Sequence, residues 1–396
     1  MSKLVSIIIP VFNVEKHIRK SLNSILNQTF NVNDVEVIMV DDCSTDGSGK
    51  IIDEYSKKYD NFKAVHLDEN SGAAGKPRNI GLEEASCDFV MFLDSDDFFV
   101  ENAIEVLYNQ INGNAELDIV LGGYQNIHGD NKQIVLPFKN SDESYFEDTT
   151  NCIDLVKINP AISAKIFRTS FLVENNIKFP EGIPGQDLVF FLDAFFNAKN
   201  VLSLNNFIVY NRILRFDDND KSISLNVTSK YILGLIEAYN LTLDICMNNH
   251  VNKNLIKLIL LSHLQFFTNQ ILKDSLSLDE LSSIFNSLNF ENFKNHEFFN
   301  QAAEFRLIFK NIENGIFDNI DLIKYIEYNI KKEIYYNYDN ITSLLKEYKR
   351  ENEKLLKSLR IKEADNIYLK NRNVELNLKV NNVESSKIWR FKNLFE

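Results

Sequence analysis

The chain opens on a short apolar, β-branched run, Val5–Pro10. Glu15–Asn27 follows, with Ile18, Leu22, Ile25 and Leu26 at helical spacing. The alternation repeats: Val35–Val40 predicts a second strand and Ser48–Tyr59 a second helix. Phe62–Leu67 with Arg78–Ala85 and Phe89–Leu93 with Glu101–Asn112 make the next two pairs, and Ile119–Leu121 reads as a fifth strand. Fully apolar strands alternating with helices predict an α/β domain whose parallel sheet is covered on both faces. In such sheets ligands bind beyond the carboxyl ends of the strands. The polar segments just after those strands are therefore the place to look for chemistry.

All six prolines lie at or before Pro184, and eleven of the thirteen glycines lie at or before Gly185. Proline and glycine serve tight turns, so roughly the first 220 residues should be loop-rich and the rest mostly helical. From about Val227 to Tyr338 the pattern is that of amphipathic helices. In Leu255–Phe267, for example, Ile256, Ile259, Leu260, His263 and Phe267 share one stripe, where His263 reads as a hydrogen-bonded core residue. Beyond it, thirteen positions from Ile341 to Val383 recur in steps of four and three, nine of them apolar or aromatic. Asn352, Asn366 and Asn373 fall at a; Leu355, Leu369 and Leu376 fall at d. Asparagine at a fixes register and favours two parallel strands, so 341–383 is expected to hold a homo-oligomer, a dimer in preference to a trimer. The other reading of this spacing is a solvated charged helix packed on its own domain. The expected domains are 1–225, a helical region 226–340, a coiled coil 341–384 and a short amphipathic tail 385–396.

Composition adds limits. The chain has 396 residues, 44% hydrophobic and 25% charged, ordinary for globular proteins. Its net charge of −13 argues against general binding of nucleic acid. Cys43, Cys87, Cys152 and Cys246 are far apart and form no C-x-x-C pair, which reads as reduced thiols. The six histidines are scattered, with no zinc-like spacing. No run approaches the roughly 18 apolar residues of a membrane span, and the N-terminal apolar run is too short for a signal peptide. The expectation is a cytoplasmic protein.

Four polar clusters follow the first four strands. They are Pro10-Val11-Phe12-Asn13, Asp41-Asp42-Cys43-Ser44-Thr45-Asp46-Gly47, the stretch from Asp68 to Asn79, and Asp94-Ser95-Asp96-Asp97. Each alone is an ordinary turn composition. Together, in order, at the ends of successive parallel strands, they would converge on one crevice. Asp94 and Asp96 can present hard oxygens to Mg²⁺ or Mn²⁺. Lys76 and Arg78 suit a phosphate. Phe12 offers a stacking face and Asp41 an acceptor for a base N–H. Gly72 and Gly75 would permit close backbone approach. This describes a metal–nucleoside diphosphate site. Asp42, Asp46 and Asp97 read as turn or cap residues. There is neither a P-loop nor a dinucleotide-binding glycine fingerprint.

SIIIPVFN, VDDCSTDGS, NSGAAGKPRNIG and FLDSDD, in this order, resemble the family 2 glycosyltransferases of GT-A fold over about residues 3–215. The GKPRN form and the segments Phe179-Pro180-Glu181 and Gly185-Gln186-Asp187 look most like the teichoic-acid N-acetylglucosaminyltransferase branch. The resemblance implies inverting transfer from a UDP-sugar with Mg²⁺ or Mn²⁺, and a glycan-polymer acceptor. It implies that Phe12 stacks on uracil, Asp41 binds the base, and Pro10, Asn70, Lys76, Arg78 and Ser95 line the donor site. Asp94 would face the ribose and Asp96 the metal, and Asp187 would be the catalytic base. Arg212 or Arg215, after the expected strand Phe207–Tyr210, would close over the phosphates, with surface salt bridging as the alternative. Two positions depart from the pattern: Cys43 replaces a glycine, and Gln186 replaces a glutamate. The tail around Ser385 and Trp389 resembles the S-x-x-W-R end of some polysaccharide-building enzymes and reads either as a peripheral contact with the inner membrane face or as a frayed terminus. Two other functions fit parts of the sequence: a nucleotidyltransferase, and a non-catalytic scaffold acting through its coiled coil.

Overall fold

The computed structural model describes residues 3–138, 141–152, 154–155, 158–215, 228–252, 255–256 and 259. The chain divides into two compact units. The first comprises 1–226 and 237–256 and the second 227–236 and 257–396. The second lies almost wholly outside the described residues, as do His263, the heptad seam and the Trp389 tail.

The first unit begins with β1 (Val5–Val11), α1 (Ile18–Leu26), β2 (Val35–Asp41), α2 (Ser48–Lys58), β3 (Phe62–His66), α3 (Gly75–Glu84) and β4 (Phe89–Phe92). Then come β5 (Phe98–Phe99), α4 (Ala103–Gly113), β6 (Ile119–His128), β7 (Asn131–Val135), β8 (Glu143–Phe146), β9 (Lys165–Arg168), α5 (Thr169–Glu174), α6 (Gln186–Asn197) and β10 (Val201–Ile213). A further helix, α7 (Ser229–Asn248), brings Ala238, Leu241 and Ile245 against Ile183 and Val189 within the first unit.

One sheet runs β3-β2-β1-β4-β9-β6-β10-β5, with β7 on β6 and β8 on β10. Its first four strands pair in parallel, as the β–α alternation predicts. Every residue of β1 is buried, so it reads as a continuous apolar run rather than an alternating one. The pairing of β1 with β4 ends at Ile8↔Phe92, so Pro10 lies past that ladder, where a missing N–H is tolerated.

Beyond β4 the sheet becomes mixed, and here the structure departs from the simple alternation. Strand β9 inserts antiparallel to both β4 and β6. Its polar ends conceal it in the sequence: Lys165 is buried, and Arg168 donates to the Leu117 carbonyl at 3.0 Å. Strand β6 runs through Gly122-Gly123, where the expected strand stopped. A Cβ at Gly122 would lie 2.9 Å from the Phe207 carbonyl, and one at Gly123 would lie 2.5 Å from the Val135 carbonyl. The two glycines allow β10 and β7 to close on β6, and the register of β10 shifts opposite them. Among the described residues no helix is long and apolar enough to cross a membrane.

Candidate active site

The strand ends carry the chemistry. Asn13 leaves β1 with a φ of 50°, and its Oδ1 accepts from the Thr45 N–H at 2.8 Å. Cys43 also holds a left-handed φ, 59°, a conformation that favours glycine. The turn after β2 therefore forms with a cysteine in it, at a cost of about 1–2 kcal/mol. Asp41 is buried; its Oδ1 accepts from the Ser44 N–H and its Oδ2 lies 3.0 Å from His66 Nδ1. Asp42 is more than a turn residue: its carboxylate accepts from the Ser71 N–H at 2.9 Å and from Asn70 Nδ2 at 3.1 Å. It thereby pins the loop after β3 to the end of β2. Asp46 accepts from the Ser48 N–H at 2.9 Å just before α2, the turn role among those expected of it. Phe12 is 39% exposed beside these loops, and Lys76 Nζ lies 3.8 Å from Glu69.

A second group sits at the end of β4. Arg78, from α3, is 2% exposed. Its Nη2 donates to Asp94 at 2.5 Å and its Nη1 to Asp187, in the first turn of α6, at 2.6 Å. Residues 109 apart in sequence are thus joined through one side chain. Arg78 is not a free cation reaching outward but a bridge between the D-x-D segment and the expected base. Asp96 pairs with Arg215 at 2.7 Å, a largely buried pair and not a surface salt bridge. Asp97 is buried and accepts from the Ile213 N–H at 2.9 Å, fixing the end of β10. Ser95 is buried between these aspartates.

The electrostatics follow from crowding of carboxylates. Burial and the neighbouring Asp94 push Asp96 above the ordinary aspartate range. Burial and the charges of Asp96 and Asp94 push Asp97 well above it. Burial likewise raises Asp187, with Arg78 opposing and Asp94 reinforcing. For Arg212, burial acts to lower the value, but the neighbouring Tyr210, Tyr124, Asp97 and Asp94 outweigh it, so the net shift is upward. Among the described residues no three His, Cys, Asp or Glu side chains form a metal-binding group. Two carboxylates completed by substrate phosphates are nonetheless a common Mg²⁺ arrangement. Asp94 and Asp96 fit it, because each has a second oxygen beyond the one its arginine engages.

Aromatic residues form the floor: Phe179, from one of the segments that carry the family resemblance, and Phe92 and Phe190, which the sequence did not single out. Phe179 stacks on Phe190 with centroids 3.8 Å apart, and Phe92 meets both rings edge-on. The Arg78 guanidinium lies 5.2 Å from the Phe179 centroid. Asn79 fixes the same loop, accepting from the Phe179 N–H and donating to its carbonyl, both at 2.9 Å. The loop packs so closely on the start of α3 that a Cβ at Gly75 would lie 2.2 Å from the Pro180 carbonyl. The expected close approach at Gly75 is therefore to the protein's own loop leading into α6 and Asp187. His66 and Lys165 also escaped sequence reading, since neither lies in a recognisable motif.

The profile described as "Glycosyl transferase family 2" matches residues 6–171. The Staphylococcus aureus poly(ribitol-phosphate) beta-N-acetylglucosaminyltransferase TarP is 30% identical over 241 residues, 60% of this chain and 71% of that protein. The chain belongs to glycosyl transferase family 2. Another member, the Bacillus spizizenii poly(ribitol-phosphate) beta-glucosyltransferase, is 37% identical over 201 residues, 50% of this chain, which spans only 30% of that enzyme's length. Among solved structures, S. aureus TarS 1-349 in complex with UDP-GlcNAc has a TM-score of 0.57 at 26% identity, covering 73% of this chain and 82% of that one. The family's GT-A-like α/β architecture agrees with the sheet described above.

Proposed function

We propose that this chain is an inverting glycosyltransferase that moves N-acetylglucosamine from UDP-N-acetylglucosamine to a hydroxyl of a poly(ribitol-phosphate)-type polymer. The reading is carried by the Arg78 bridge, which ties Asp94 and Asp187 to the two terminal nitrogens of one guanidinium. Donor-side and acceptor-side chemistry are thereby held at a fixed spacing. The relative solved with UDP-GlcNAc and the relatives that act on poly(ribitol-phosphate) support the choice of donor and acceptor. Their beta linkages accord with inversion.

In the reaction the acceptor oxygen forms a bond to the anomeric carbon as the bond to the diphosphate breaks, and the electron pair leaves with UDP. The acceptor's proton passes to the Asp187 carboxylate, whose raised affinity for protons suits a general base. Phe12 and Asp41, with Pro10 and Asn70 nearby, hold the nucleoside. Lys76, Ser95 and Arg212 line the diphosphate side. Asp94 and Asp96 would hold Mg²⁺ or Mn²⁺, which when bound supplies positive charge to the departing diphosphate. The chain would work at the cytoplasmic side, in peripheral contact with the inner membrane face through 385–396.

Asp187→Asn tests the assignment. Asparagine preserves the start of α6 but takes up no proton, so transfer should fall by roughly two to four orders of magnitude while UDP affinity survives. Transfer retained within a few-fold on folded protein removes Asp187 as the base.

A further inference from the structure

Lys165 opens β9 and is 1% exposed, so its ammonium sits inside the domain. A buried ammonium is expensive and needs compensation. Its Nζ donates to the backbone carbonyls of Asn159 at 2.9 Å and Ala161 at 2.6 Å, and lies 4.4 Å from the centroid of the Phe191 ring. Phe191 stands four residues beyond Asp187 on α6, and residues four apart share a helix face. The ammonium is therefore set against the face of α6 that carries Asp187. Among the described residues no carboxylate makes a salt bridge with Lys165, and Asp187 is the carboxylate whose charge reaches it.

The groups acting on Asp187 come from four elements or their ends. Arg78 from α3, Lys165 from β9 and Arg212 from β10 favour its ionised form, and Asp94 at the end of β4 opposes it. Arg78 is shared with Asp94. Lys165 makes no such contact with the D-x-D segment.

We propose that Lys165 is a positioning residue for the base. Its ammonium, held by the carbonyls of Asn159 and Ala161 and set against the Phe191 ring on the Asp187 face of α6, helps keep Asp187 ionised. The inference rests on Asp187 being the base. Burial pulls Lys165 down to about 7, so the lysine carries its charge below neutral pH.

The test compares full-length wild type with Lys165→Met, Lys165→Gln and Lys165→Arg. Methionine fills the space without charge. Glutamine removes the charge but keeps an amide N–H for the carbonyls of Asn159 and Ala161, which guards against a methionine variant that does not fold. Arginine keeps the charge. The probes are UDP-N-acetylglucosamine and a poly(ribitol phosphate) acceptor, with kcat/KM followed from about pH 5 to pH 9 and UDP affinity measured by calorimetry. Losing a nearby positive charge raises the Asp187 value, and activity that needs its carboxylate then fails at a higher pH. The acid limb should move up by about half to one pH unit in both neutral variants and stay in place in Lys165→Arg. UDP affinity should not change. A uniform fall in kcat with the acid limb unmoved would leave Lys165 a merely structural residue and overturn the proposal. The two readings fail separately. If Asp187→Asn abolishes transfer while the limb does not move, only the Lys165 role is lost. If Asp187→Asn retains transfer, the base assignment itself is wrong.

Discussion

Replacing Arg78 by methionine removes the guanidinium while leaving a side chain of similar length against Phe179. Two charge-assisted hydrogen bonds are lost, to Asp187 at 2.6 Å and to Asp94 at 2.5 Å. Each such bond typically contributes about 1.5–3 kcal/mol, or about 3–6 kcal/mol for the two. Two effects reduce the net loss. The variant no longer buries a guanidinium, whose desolvation costs several kcal/mol. The side chains of Asp94 and Asp187 are 38% and 34% exposed, so water replaces part of what they lose. The expected destabilisation is about 1–3 kcal/mol, or a fall in Tm of about 5 °C for a domain of this size. The pH dependence distinguishes an ionic cause from lost packing. Burial already holds Asp187 above the ordinary aspartate range, with Arg78 opposing, and the substitution raises it further. The variant then binds a proton at Asp187 at a pH where wild type does not, so its deficit grows with rising pH and narrows as pH falls. Lysine, a point donor without the planar fork, should restore only part of the loss. Thermal and urea denaturation at about pH 5 and pH 8 would measure all three proteins. A deficit equal at both pH values, or Arg78→Lys as stable as wild type, would refute the bridge.

Asp96→Asn should lower turnover at least about 100-fold in a titration with Mg²⁺ or Mn²⁺, and should also cost some stability because it removes the carboxylate partner of the largely buried Arg215; near-normal turnover at saturating metal would contradict the metal assignment. Gly75→Ala should cost about 1–3 kcal/mol in urea denaturation and impair transfer, because the Pro180 carbonyl 2.2 Å from the new Cβ can retreat only by moving the loop that leads into α6 and Asp187. Truncation after residue 339 should convert a dimer to a monomer in light scattering, and a monomeric full-length chain at micromolar concentration would refute pairing through 341–383.

By itself the sequence determined the parallel half of the sheet. Strands β1, β2 and β4 are short runs buried on both faces, so a purely local pattern identifies them and the polar turns that follow. It also pointed to Asp94 and Asp96, in the turn after β4, and, through the family resemblance, to Asp187 at the start of an apolar helical run. What it did not determine is how those groups pair. Arg78 reads as one more cation in a phosphate loop, and only the approach of α6 to α3 turns it into a bridge. The aromatic floor drew residues from β4, β9, α6 and the loop before α6. Phe92, Phe167 and Phe190 look like ordinary core positions along the chain. Strand β9 was hidden because its lysine and arginine break the apolar run, and their partners are backbone carbonyls brought near by the fold. Burial of a lysine, and the closeness of two glycines to neighbouring strands, depend on which segments meet. That is decided by packing between residues remote in sequence, which periodicity does not encode.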